Sequence, residues 1–134
     1  MLSDLHLEFS DFLMPMVDAD VRILAGDVHT KDRGLQFAVR NCGDMPTLYI
    51  AGNHEFYGAA IPKLYDKLKS QTIGSTVSVL ENDQVMIGDV RFLGCTLWTD
   101  FGLLGADTRA TAMIEARNTM TDCKKIPDAI PRIS

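Results

Sequence analysis

Short apolar runs alternate with helix-period patterns along the first half of the chain. Val21 to Ala25 (VRILA) reads as a buried strand closed by Gly26-Asp27. Asp32 to Arg40 sets Leu35, Phe37, Ala38 and Val39 among polar residues and predicts a short helix, with Asp32 as its N-cap. A turn follows at Asn41 to Pro46 (NCGDMP). Thr47 to Ala51 (TLYIA) predicts a second strand, again ended by glycine, at Gly52-Asn53. Between Ala59 and Ser70, Ile61, Leu64, Tyr65 and Leu68 recur at helical spacing, and Lys63, Asp66, Lys67 and Lys69 face away. That is the pattern of an amphipathic helix.

The pattern changes after residue 75. Val77 to Leu80, Val85 to Ile87 and Val90 to Gly94 are short strands with tight-turn residues between them, which predicts an antiparallel meander. Thr96 to Gly105 (TLWTDFGLLG) reads as an apolar loop and Ala106 to Thr119 as a short helix. The tail from Lys124 carries two prolines, shows no periodicity and is expected to be irregular. Strands alternating with helices imply βαβ units with right-handed crossovers. The expected class is α/β, a layered α/β/α sandwich, in one domain over residues 1–134.

Composition adds limits. Apolar residues make up 46% and charged residues 23%, enough for a core and no sign of disorder. A net charge of −5 disfavours a nucleic-acid backbone binder, which presents a basic face. Cys42, Cys95 and Cys123 are far apart and form no C-x-x-C pair, so they read as reduced thiols of a cytoplasmic protein. No apolar run approaches the ~20 residues of a membrane span, and no signal peptide is visible.

Three segments share one design: an apolar run, a small residue, then a residue able to ligate a metal. They are Leu2-Ser3-Asp4-Leu5-His6, Leu24-Ala25-Gly26-Asp27 and Ile50-Ala51-Gly52-Asn53-His54. About one βα unit separates each from the next. Successive parallel strands would bring the polar residues to one sheet edge, the carboxyl edge where open α/β sheets bind ligands. In an extended segment Asp4 and His6 share a face and reach toward one point. A carboxylate and an imidazole converging there suit Mn, Fe or Zn. Asp27 arrives from the next strand and can bridge two cations, and Asn53 offers a carbonyl oxygen. His54 points elsewhere and is cast as a proton donor.

These residues resemble the calcineurin-like metallophosphoesterases. "SDLH", "GDV" and "GNHE" match that family's D-x-H, G-D and G-N-H-[ED] patterns in order, and "SDLHLEF" and "TLWTDF" are similar to its small bacterial members. The resemblance implies a dinuclear centre that hydrolyses a phosphate ester. Asp4 and His6 would bind the first metal, Asp27 would bridge, Asn53 would bind the second, and His54 would protonate the leaving oxygen. The family's later histidines have no counterpart, since His6, His29 and His54 are the chain's three. The ligand set is therefore incomplete, and the expectation is a partial domain truncated after its first half. Its activity alone is in question. The alternative is a non-catalytic metal-binding or scaffold fragment. A domain lacking its second sheet would expose an apolar sheet face, so self-association through that sheet is expected.

Other positions carry weaker signals. Glu8 and Glu55 are expected to support loops by hydrogen bonding. His29 and Arg33 read as loop residues near the second segment. Trp98 and Asp100 either line a substrate pocket or, for Trp98 with Phe101, plug the core.

Overall fold

The computed structural model describes residues 1–130. Its centre is a parallel sheet of three strands, β1 (Arg22–Ala25), β2 (Thr47–Ile50) and β3 (Val77–Val79), in the order β1-β2-β3. Helix α1 (Arg33–Asn41) connects β1 to β2, and α2 (Ile61–Gln71) connects β2 to β3. Leu2 makes a parallel bridge to Leu24, so the start of the chain lines the free edge of β1. Right-handed crossovers between strands in sequential order put both helices on one face.

The core follows from that face. The paired rows Arg22/Thr47/Val77 and Leu24/Tyr49/Val79 point the same way. Leu24, Tyr49, Val77 and Val79 meet Leu35 and Ala38 of α1 and Leu64 and Leu68 of α2, all buried in one apolar cluster. Gly34 is needed there. A Cβ at this position would run into the Tyr49 hydroxyl and stand 3.0 Å from Val28 Cβ.

A second unit follows. Strands β4 (Asp83–Ile87) and β5 (Val90–Gly94) form a separate antiparallel hairpin, then a loop leads to α3 (Ala106–Thr119) and α4 (Thr121–Lys125). The expected three-stranded meander is corrected. β3 pairs parallel with β2, because α2 delivers it back to the sheet, and only β4 and β5 pair with each other. The tail is also more ordered than expected, since it opens with α4 and buries Ile126 and Ala129 in the main core. Residues 131–134 of the tail lie outside the described residues.

The class is thus mixed α/β, with one parallel and one antiparallel sheet. Among the described residues, no helix is long and apolar enough to cross a membrane.

Candidate metal centre

Three loops meet at the carboxyl edge of the parallel sheet: residues 3–8 after the Leu2 bridge, 26–31 after β1 and 52–58 after β2. Backbone hydrogen bonds lace the first two. Asp4 N–H donates to Gly26 O (3.1 Å), His6 N–H to Asp27 O (3.0 Å) and Leu7 N–H to Val28 O (2.9 Å). Asp4, His6 and Asp27 all hold positive φ, at 54°, 45° and 52°. Asp and His are among the side chains that tolerate this region. The first segment is therefore not the extended strand end that alternation suggested.

Glu55 laces the second and third loops. Its fully buried carboxylate accepts N–H groups from Asp27 (3.0 Å), Val28 (2.9 Å) and Gly52 (2.8 Å), and the Tyr49 hydroxyl (2.9 Å). Burial raises the Glu55 pKa, and the donors from Gly52, Tyr49 and Val28 oppose that rise. Gly52 sits against Asp27 closely enough that a Cβ would stand 2.6 Å from Asp27 N and overlap the carboxylate. Asp27 Oδ1 in turn accepts His54 N–H at 2.9 Å.

This scaffold gathers His6, Asp27 and His54. One nitrogen of each ring and one Asp27 oxygen lie within 4.8 Å of one another. Donors around a single cation, at about 2.0–2.2 Å each, stand up to ~4.4 Å apart, so only slight closure is needed. Two imidazoles and a carboxylate form a mixed N/O set that fits Mn, Fe or Zn. The His6 and His54 rings meet edge-on with centroids 4.4 Å apart.

The other expected residues are placed differently. Asp4 is exposed, with Oδ1 4.0 Å from His6 Nε2. Asn53 turns its amide nitrogen to Asp122 Oδ1 at 2.8 Å. His54 does not point away from the cluster, because Asn53 caps a single 3-10 turn (His54–Phe56) that ends the extended backbone. His29 is half-buried, and its Nδ1 accepts Thr30 N–H at 2.7 Å. Burial lowers its pKa, opposed by the Glu8 charge. Trp98 packs against the core and donates from Nε1 to Ala129 O (2.7 Å), while Asp100 caps its own loop at Gly102 N (2.7 Å). An open cleft of about 500 Å³ runs beside Asn53 and is walled by Ile50, Leu93, Leu97 and Trp98.

Two polar groups carry more than the sequence signalled. Glu8 Oε1 lies 2.6 Å from His54 Nδ1 and 3.4 Å from His6 Nδ1. Burial would raise its pKa, but the bond to His54, its own backbone and the bond to His6 outweigh that and lower it. Asp122, from α4, accepts from Asn53 and from the Tyr57 hydroxyl (2.6 Å). Burial and that bond push the Tyr57 pKa up to about 12. No motif marks Asp122, which falls between the helix expected to end at Thr119 and the tail from Lys124.

The fold is similar to that of a hydrolase. A phosphopantetheinyl hydrolase from Mycobacterium tuberculosis matches over 99% of this chain and 55% of its own, with a TM-score of 0.67 and 19% identity. The chain therefore spans about half the length of that structure. At this identity the likeness shows the fold alone. No family model and no curated protein matches the chain. The expected membership of the calcineurin-like metallophosphoesterases is corrected on these findings. "SDLH", "GDV" and "GNHE" are each only three or four residues long, and runs that short are weak evidence of kinship by themselves.

Proposed function

We propose that this chain is a hydrolase domain that cleaves a phosphate ester with the help of divalent cations held at the carboxyl edge of its parallel sheet. The observation that carries this reading is the convergence of His6, Asp27 and His54 from three separate loops. The likeness to a phosphopantetheinyl hydrolase supports hydrolysis and a phosphate-bearing substrate. In this reading Asp4 and His6 hold a first cation, Asp27 bridges to a second that Asn53 also holds, and His54 gives a proton to the leaving oxygen. A divalent cation there would lower the pKa of water and offset charge on the phosphate. Asp27 also fixes the His54 backbone, so one residue ties ligand and proton donor together. The cleft beside Asn53 offers an apolar wall for the substrate's organic part.

Mn²⁺-dependent hydrolysis of bis-p-nitrophenyl phosphate tests the reading. Asp27→Ala is expected to abolish both turnover and Mn²⁺ binding. His54→Ala is expected to lower kcat by ~10²–10⁴-fold while Mn²⁺ still binds. Loss of Mn²⁺ binding in His54→Ala would make His54 a ligand instead. Mn²⁺ bound without any turnover would favour a non-catalytic metal-binding module, and no binding at all would end the metal reading.

A further inference from the structure

We propose that Glu8 is a positioning residue that sets the ring tautomers of His6 and His54, making Nε2 the working nitrogen of both. The inference deepens the metal-site reading and rests on it for its purpose, though its main test needs neither metal nor substrate. A carboxylate at neutral pH only accepts hydrogen bonds. Glu8 Oε1 faces Nδ1 of His54 at 2.6 Å and Nδ1 of His6 at 3.4 Å, so each ring must present its N–H at Nδ1. A neutral imidazole has a single N–H, so the lone pair then sits on Nε2; at His6 it is free for a cation, and at His54 it takes up the proton that the ring, as an imidazolium held by Glu8, passes to the leaving oxygen.

His29 supplies the contrast. Its Nδ1 lies 3.8 Å from Glu8 Oε2, yet that nitrogen already accepts the Thr30 N–H at 2.7 Å. It carries a lone pair, so its proton belongs on Nε2, and the approach to Glu8 is not a hydrogen bond. Among the described residues, Glu8 Oε2 is buried with no hydrogen-bond partner. Glu8 therefore addresses two of three neighbouring rings, and those two are the ones that gather with Asp27. Carboxylates hydrogen-bonded behind ligating histidines orient the ring and raise its basicity, and losing them costs about 10–100-fold in metal affinity. Glu8 is only two residues from His6, so the same short segment carries a candidate ligand and the group that orients it.

The experiment is long-range ¹H–¹⁵N correlation of the histidine rings in metal-free protein at pH about 8.5, above the ordinary histidine range near 6.5. The expected result is protonated Nδ1 and bare Nε2 for His6 and His54, and the reverse for His29. Glu8→Leu, which keeps bulk but removes the acceptor, is expected to mix the tautomers of His6 and His54 and leave His29 unchanged. Glu8→Gln keeps an amide oxygen and should restore Nδ1 protonation in part. Calorimetric titration with Mn²⁺ should show ~10–100-fold weaker binding in Glu8→Leu than in the wild type. A wild-type His54 protonated at Nε2 overturns the proposal, as do unchanged tautomers in Glu8→Leu. If the tautomers behave as expected while Mn²⁺ fails to bind, Glu8 keeps its role and the metal reading falls instead.

Discussion

Gly52 shows how far one residue can govern the site. A Cβ there would collide with the Asp27 carboxylate, and Asp27 is at once a candidate ligand and the acceptor for His54 N–H. Gly52→Ala is therefore expected to displace Asp27 and cut Mn²⁺ affinity at least tenfold. The stability cost should be about 1–3 kcal/mol, the usual range for an overpacked site. Calorimetric titration alongside urea unfolding separates the two effects, and unchanged affinity would show that Asp27 is not held by this contact. At this scale the repeated pattern of an apolar run, a small residue and a ligating residue pointed to Asp4, His6, Asp27 and Asn53, with His54 set apart as a proton donor; the structure gathers His6, Asp27 and His54, leaves Asp4 exposed and turns Asn53 toward Asp122. The directions of the side chains were not legible. Alternation assumes extended backbone, whereas Asp4 and His6 adopt left-handed φ and His54 opens a 3-10 turn. The roles of Glu8 and Asp122 depend on contacts across loops, and local sequence carries no record of those.

Among the elements, the junction of α1 and α2 turns on one carboxylate. Asp32 occupies the expected N-cap position of α1 but makes no side-chain cap bond. Its Oδ2 instead receives Lys67 (2.7 Å) and Gln71 (2.9 Å), one turn apart on α2, and Gln36 (3.0 Å) on α1. Burial would raise its pKa, but the bonds from Lys67 and Gln71 outweigh it and hold the carboxyl at about 2. The ordinary unfolded value is about 3.9, so the ionised form is favoured by folding. That stability is complete above pH ~4 and is lost as pH falls from there through about 2. Asp32→Asn should cost on the order of 1–2 kcal/mol at pH 7, discounted because Lys67 is half exposed, and almost nothing near pH 2. Urea midpoints of both proteins at the two pH values check this, and a difference that does not shrink in acid would refute it. The strands and long helices were legible from periodicity to within a residue or two. The partner of β3 was not, since a short loop after a strand does not say that the next strand will pair with it.

Across the whole molecule, the C-terminal segment ties the sheet, the site and the loops together. Ile126 and Ala129 are buried in the same cluster as Leu64 and Tyr65. Gly58 N–H donates to Lys125 O (2.8 Å), Ile61 N–H to the Asp128 carboxylate (3.1 Å) and Trp98 Nε1 to Ala129 O (2.7 Å). Asp122 reaches Asn53 beside the candidate metal centre. A segment without apolar periodicity can still belong to the core, because a few side chains placed singly suffice when backbone bonds fix its path. Ile126 is only 2% exposed, so Ile126→Ala should leave a cavity and cost about 2–4 kcal/mol. If the segment folds as one with the sheet, that loss appears as a lowered midpoint of a single urea transition, read identically by the Trp98 fluorescence and by far-ultraviolet circular dichroism. If the segment is a separate unit, Trp98 fluorescence shifts alone while the helical signal keeps its midpoint. The bonds from Trp98, Gly58 and Ile61 into residues 125–129 favour the first outcome, since they join the segment to the loop after β5, to the turn after β2 and to the start of α2 at once.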